Sequence, residues 1–348
     1  MSVESILGIR HPIIQAPMAG VSTPALAASV SNAGGLGSLG LGASSTESAR
    51  QAIQETRAQT ESPFQANFFC HQPAQRDAQK EARWIEHFTP LFEEIGLEPP
   101  EQCREIYTSF RANDDMLRVV LETRPPIVSF HFGLPTHQQL QAIREAGLTT
   151  IANATSLDEA RVIEKAGIDI LVAQGIEAGG HRGVFEPEMP DERLSTSVLV
   201  RLLVRETTLP VVAAGGIMDG SGVRAALSLG AVAAQLGTAF VLCPESAAND
   251  GYRQNLRGER AHITRLTSTL SGRPARGLLN RFIIHGEASG SPKPAAYPVA
   301  YDLAKQLHAE AARQGIHDFA AHWAGQGAPL ARELPAAVLM EELVREMG

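Results

Sequence analysis

The 348 residues carry 38 Asp and Glu against 30 Lys and Arg, a net charge of -8 that supplies no basic footprint for nucleic acid. With 44% hydrophobic and 20% charged residues and 31 glycines, the chain reads as a globular protein rich in tight turns, and its apolar runs stop short of a membrane span. Three widely spaced cysteines, Cys70, Cys103 and Cys243, form no Cys-x-x-Cys, which argues against a disulfide frame or a zinc site.

Residues 1–10 hold Glu4 and a single base, Arg10, before Pro12, without the layout of a secretory signal, so a cytoplasmic protein is expected. Eight short β-rich runs follow in chain order, at residues 13–16, 36–39, 64–68, 127–130, 150–152, 170–173, 211–214 and 233–236. Helix-sized segments with apolar periodicity separate most of them. Two of these, 136–145 and 156–165, end in Ala146-Gly147 and Ala166-Gly167, where a helix needs a left-handed stop. Strand, helix, glycine and strand in repetition mean parallel strands joined by crossovers. Eight such units predict an α/β fold of the closed (β/α)8 TIM-barrel type rather than an open doubly wound sheet.

Two stretches break the rhythm. Residues 70–126 are too long for one crossover and contain a helical piece at 78–92, which predicts a helical excursion. After the eighth strand, a polar segment punctuated by Gly and Pro, including Ser271-Gly-Arg-Pro274, predicts a small inserted domain. The expected division is a barrel of residues 1–241 and 315–348, with 242–314 as a smaller α+β domain on the substrate side, over the barrel mouth. The amphipathic stretches 194–206 and 335–347 read as outer-ring helices, with Pro335 suited to the first helical position.

Four apolar runs stop at Gln, Gly or Thr: 13–18 (IIQAPM), 169–183 (DILVAQGIEAGGHRG), 211–217 (VVAAGGI) and 233–240 (AAQLGTAF). One ligand held by the ends of several strands accounts for all four. Residues 35–40 match G-x-G-x-x-G, but they follow a helix and enter a strand, the reverse of a dinucleotide fingerprint. Gly215-Gly216 and Gly237-Thr238 lie just past the seventh and eighth strands, where backbone N–H groups commonly grip a phosphate; ordinary tight turns are the other reading. Without a Gly-Lys-Ser/Thr motif, the phosphate belongs to a monophosphate cofactor or substrate. Gln15, Gln174 and Gln235 sit at or near strand ends, either as satisfied rim amides or facing a ring with donors and acceptors, such as a flavin.

His131 lies at the C-terminal end of the fourth strand, the catalytic face of this fold, and is either a base near neutrality or a structural histidine. His181 is the competing candidate, or a loop residue steadying its glycine turn. No His-Glu-x-x-His, paired His/Asp cluster or Gly-x-Ser-x-Gly occurs, which leaves organic-cofactor chemistry and no metal.

With these residues located, the chain resembles the nitronate monooxygenase family, formerly called 2-nitropropane dioxygenases, and its class I bacterial members in particular. The resemblance spans nearly the whole length. It rests on Gln15-Ala-Pro-Met18, Gln65-Ala-Asn-Phe68, Ser129-Phe-His-Phe-Gly133, Ala173-Gln-Gly-Ile-Glu-Ala-Gly-Gly-His-Arg-Gly183, Ala213-Ala-Gly-Gly-Ile217 and Gln235-Leu-Gly-Thr238, in family order. It implies a non-covalent FMN held by Met18, Asn67, Gln174, Gly179, Gly180, Gly216, Gln235, Leu236, Gly237 and Thr238, the last four with Gly215 cradling its phosphate. Trp323-Ala-Gly-Gln326 resembles a late segment that borders the cofactor.

By the same resemblance His131 is the active-site histidine, and Tyr107, Tyr297, Tyr301 and Lys305 form the substrate pocket. The last three are spaced i, i+4, i+8 and are expected on one helical face, which without the resemblance would read as an amphipathic surface. The implied activity is oxidation of an alkyl nitronate by FMN and O2 to a carbonyl compound and nitrite. Propionate 3-nitronate, a toxic dianion, is the leading substrate, with its carboxylate paired to Lys305. The alternatives are an NAD(P)H-dependent flavin reductase on the same barrel, acting on quinones or enoyl thioesters, and a non-enzymatic FMN-binding protein. The partners implied are a small anionic nitronate and O2, with no nucleic acid or membrane; a homodimer is compatible with this reading.

Overall fold

The computed structural model describes residues 3–348; Met1 and Ser2, the first residues of the expected barrel, lie outside it. The barrel strands are β1 (Ile13–Gln15), β2 (Gly37–Gly40), β3 (Phe64–Phe69), β4 (Ile127–His131), β5 (Thr149–Ala154), β6 (Ile170–Gln174), β8 (Val211–Ala214) and β9 (Ala233–Leu236), with a short β7 (Gly180–His181) belonging to a second sheet. All eight pair in parallel, in the order β1-β9-β8-β6-β5-β4-β3-β2. The ring closes where Gln15 N–H donates to Leu36 O at 2.9 Å and Leu36 N–H donates to Ile13 O at 3.0 Å. This is the (β/α)8 barrel that the strand–helix rhythm predicts.

The alternation of side chains along each strand sorts the residues into two cores. Outward positions such as Ala66, Phe68, Val128 and Phe130 pack under the surrounding helices. Inward positions at the strand starts, Ile14, Ile127, Ile151, Ile170, Val212 and Ala233, fill the floor of the barrel, which is plugged by Leu7 of α1 (Val3–Leu7) and by Ile9. The outer helices are α2 (Pro24–Asn32), α3 (Thr46–Gln59), α5 (Asp114–Thr123), α6 (His137–Glu145), α7 (Leu157–Lys165), α8 (Thr196–Glu206), α9 (Gly220–Ser228) and α13 (Ala336–Met347). Side-chain caps start seven of them, at Thr23, Ser45, Asn113, Thr136, Ser156, Ser195 and Asp219, satisfying N–H groups left unpaired in the first turn. Gly147 and Gly167 adopt φ of 73° and 75°, the left-handed stops read from the sequence. Pro335 stands one residue before the first turn of α13 rather than inside it.

A second layer covers the open end. Helix α4 (Ala78–Glu94) buries Trp84, Phe88 and Phe92 against Phe282 and Ile283 of α11 (Arg281–Gly286) and Val299, Leu303 and Leu307 of α12 (Val299–Arg313). Phe88 stacks on Phe282 at 4.1 Å between ring centroids. Beside them β10 (Thr264–Thr267) and β11 (Ala275–Leu278) pair antiparallel, and β11 also pairs with β7, placing His181 opposite Ala275. The loop after β6 is thus stitched into the covering layer, which α10 (Asp250–Arg257) joins through Tyr252. Among the described residues no helix is long and apolar enough to cross a membrane.

Candidate active site

The inward rows that start apolar on the barrel floor end polar at the mouth: Asn67 on β3, His131 on β4, Asn153 on β5, Gln174 on β6 and Gln235 on β9. With the covering layer they enclose a cavity of about 470 Å³. Its wall includes Met18, Tyr107, Gly179, Gly180, His181, Gly215, Gly216, Gly237, Thr238, Tyr252, Tyr297, Tyr301, Lys305 and Trp323. The chain has 38 Asp and Glu, yet among the described residues none lines the cavity, which therefore suits an anion.

A glycine turn organises the histidines. His131 Nε2 lies 3.1 Å from His181 O, and since a carbonyl only accepts, Nε2 carries the proton and Nδ1 the lone pair. Gln174 Nε2 donates to the same carbonyl at 3.0 Å, and its Oε1 accepts from Gly183 N–H at 2.8 Å. The His181 ring is set from the covering layer: Ser271 Oγ donates to Arg273 O at 3.0 Å, so His181 Nε2 is the donor in its 2.8 Å contact with Ser271 Oγ. Burial, with lesser contributions from Arg273 and Arg182, lowers His131 to about 4. Burial and the neighbouring His131 lower His181 to about 3. Both rings are neutral near pH 7.

At the ends of β8 and β9 the backbone offers donors. The N–H groups of Gly215, Gly216, Gly237 and Thr238 find no acceptor in the protein among the described residues. Gly216 holds φ of 71°, which turns the chain sharply here. Thr238 Oγ1 accepts from Gly325 N–H at 3.0 Å, tying the cradle to the segment after Trp323.

A further part of the wall is aromatic. The Tyr107 ring lies 6.3 Å from that of Tyr297 and 6.1 Å from that of Tyr301 between centroids, and the Lys305 ammonium lies 5.1 Å from the Tyr301 ring and 5.6 Å from the Tyr107 ring. No carboxylate pairs with Lys305 among the described residues. Burial raises the phenols of Tyr107, Tyr297 and Tyr301, the last to about 12, so all stay protonated donors. Tyr301 and Lys305 share the first turns of α12, but Tyr297 precedes the helix, joined to Pro298 by a cis peptide. The i, i+4, i+8 helical face is therefore corrected: a turn, not a third helical position, brings Tyr297 into the cavity.

Strand parity turns two further side chains away from the cavity. Gln15 follows the inward Ile14, so its amide turns away from the cavity, donating to Ala16 O and Ser22 Oγ while accepting from Ser38 N–H at 2.8 Å. Leu236, one residue after inward Gln235, packs its side chain under the helices, and its carbonyl accepts from Ala16 N–H. Asn153 was not singled out from the sequence, although it carries the same signal as His131, a polar residue closing an inward row. Tyr252, which donates to Trp323 O and lines the cavity, had no such signal. His71, buried after β3 with its ring edge-on to Tyr297 at 5.1 Å, also escaped notice.

The model of the nitronate monooxygenase family matches residues 2–346. Nitronate monooxygenases of Paraburkholderia phytofirmans and Pseudomonas aeruginosa are 57% and 56% identical over 98% of this chain and 93% and 97% of their own lengths. Among solved structures, a nitroalkane oxidase from Streptomyces ansochromogenes superposes with a TM-score of 0.91 at 38% identity, covering 100% of this chain and 98% of the other.

Proposed function

The chain belongs to the nitronate monooxygenase family and is an oxidoreductase of nitronates, and from that premise we propose that it uses one FMN and O2 to convert alkyl nitronates to a carbonyl compound and nitrite. Propionate 3-nitronate is the substrate the site fits best. The observation that carries this reading is a cavity that, among the described residues, holds no carboxylate and is bounded by four backbone N–H groups without an acceptor and by Lys305 without an ion-pair partner.

The residues fit the cofactor. Phosphate is matched by the N–H groups of Gly215, Gly216, Gly237 and Thr238, in the position where this fold commonly holds one. A heteroaromatic ring is matched by Asn67, Gln174 and Gln235 with Met18 and the glycine backbone at 179–180. The volume lies in the range of cofactor and ligand sites, roughly 300–1,000 Å³. When bound, FMN supplies the electron-transfer chemistry, with O2 as the final oxidant.

The protein's own groups do the rest. Nδ1 of His131 holds a lone pair, and an anion beside it raises the ring's proton affinity, so that a protonated Nδ1 can donate to a nitronate oxygen. A ring lowered to about 4 is a weak base for removing a proton from a neutral nitroalkane, which favours the preformed nitronate. The tyrosine hydroxyls remain donors toward the same anion, and Lys305 is left to meet a distal carboxylate. The test is aerobic turnover of propionate 3-nitronate by the purified protein, following O2 uptake and nitrite. Nitrite released without NADH supports the reading; NADH oxidation with no nitrite would replace it with a flavin reductase.

A further inference from the structure

Arg273 is 3% exposed, yet no carboxylate lies within ion-pair distance of it among the described residues. The contrast with Arg182 is direct: that equally buried guanidinium takes both oxygens of Asp191, at 2.8 and 2.9 Å. Arg273 instead donates to the carbonyls of Val184 and Phe185, and its Nε is buried without a partner. Burial lowers it only to about 10, so it is a cation at neutral pH. Glu159 and Glu186 act on it only from beyond ion-pair distance, and a buried charge without a directly paired counter-charge is costly, a cost that is sustained where an anion arrives to offset it.

Its position says which anion. The guanidinium carbon sits 4.3 Å over the ring of Phe132, and Phe132 lines the cavity directly after His131. The charge therefore stands one aromatic ring behind the cavity wall. Phe132 holds φ of 70°, a region that a bulky residue keeps only when packing enforces it, and Arg273 is part of that packing. The same guanidinium tethers residues 184–185, and Glu159 accepts the Phe185 N–H at 2.8 Å, so the loop carrying the His181 carbonyl is held by both side chains. The field of Arg273 reaches His71, His131 and His181, and in each it opposes protonation.

We propose that Arg273 is a positioning and specificity-determining residue, whose unpaired buried charge makes the site select the anionic nitronate over the neutral nitroalkane while its contacts with Phe132, Val184 and Phe185 fix the His131 turn. The proposal rests on the nitronate-oxidising reading above. Arg273 does not touch the cavity, so its effect on ligands is carried by its field and by the loop it holds.

The experiment compares wild-type, Arg273→Gln and Arg273→Lys holoenzymes, measuring the KM of ethyl nitronate and the binding of neutral nitroethane as KM or competitive Ki. Glutamine keeps a hydrogen-bond donor for the loop carbonyls and removes the charge; lysine keeps the charge. Arg273→Gln is expected to weaken ethyl nitronate by about tenfold and nitroethane by much less, as a single fixed charge in a poorly hydrated wall implies. Arg273→Lys is expected to restore the nitronate-to-nitroethane preference. An unchanged preference in Arg273→Gln, or its loss in Arg273→Lys, overturns the proposal. If Arg273→Gln does not fold, Arg273→Lys alone decides: the wild-type preference upholds the charge role and a lost preference rejects it. A wild-type protein that turns over neither form removes the nitronate reading itself, a failure distinct from that of Arg273.

Discussion

Replacing Gly183 by alanine tests whether the glycine turn positions His131. A Cβ at this position would lie 1.8 Å from Asn153 Nδ2, 2.8 Å from Asn153 Cγ and 3.0 Å from His131 Cε1. Asn153 must swing away or the turn must back off, and Gly183 N–H is bound to Gln174, whose Nε2 shares the His181 carbonyl with His131. Backing off shifts the carbonyl that orients His131, and the 3.0 Å approach to Cε1 presses on the imidazole even where Asn153 swings clear. Overpacking of this kind costs about 1–3 kcal/mol of stability, and misplacing a reacting group by an ångström costs roughly 10²-fold in rate. The assay pairs urea unfolding with kcat/KM on a nitronate. Gly147→Ala serves as the control: it lies at the α6 stop with φ of 73° and nothing within 4 Å of an added Cβ, so it is expected to lose about 1 kcal/mol of stability through strain and none of the activity. Wild-type kcat/KM in Gly183→Ala would refute the argument, because the crowding would then be absorbed without reaching His131.

Four other outcomes are expected. His131→Asn should lower turnover of a neutral nitroalkane, already slow because the ring is a weak base, by at most about 10²-fold, and reduce preformed nitronate less, since Asn still donates a hydrogen bond; equal losses on both forms sink the base role. Gly237→Val, whose Cβ itself meets only Ala16 Cβ at 3.5 Å and Met18 Sδ at 3.9 Å, should weaken FMN by about 10–100-fold as the backbone is held off the phosphate; unchanged flavin affinity moves the phosphate elsewhere. Lys305→Met should raise the KM of propionate 3-nitronate about three- to tenfold and spare a nitronate lacking the carboxylate, a modest effect because Lys305 is exposed; equal effects reassign Lys305. Finally, His71, His131, His181 and His322 are all lowered from 6.5, chiefly by burial, to between about 3 and about 4, so the unfolded chain binds more protons below 6.5 and stability should fall as pH drops from 6.5 toward 4; a flat Tm between pH 7 and 5 contradicts this.

The barrel was legible in the sequence because its signals are local. Each strand run is a few residues long, and helices α6 and α7 announce both ends, through Thr136 and Ser156 at the start and Gly147 and Gly167 at the stop. The strand-end polar residues were legible for the same reason, provided parity was counted. Gln174 and Gln235 close inward rows, whereas Gln15 and Leu236 sit one residue out of phase and turn from the cavity, a distinction that position along the chain alone does not make. What stayed hidden depends on long-range packing. Nothing near Arg273 in sequence signals that Phe132, some 140 residues earlier, will lie beneath it. The pairing of β7 with β11 likewise joins two segments whose own patterns show no strand.

The most direct test of the site is a crystal structure of the protein loaded with FMN and propionate 3-nitronate under anaerobic conditions. The account predicts the phosphate within hydrogen-bond distance of the N–H groups at Gly215, Gly216, Gly237 and Thr238, the nitronate between the flavin ring and His131, and the substrate carboxylate toward Lys305. Density for FMN outside this cavity, or a phosphate lodged at the tyrosine wall with the β8 and β9 ends empty, would contradict it.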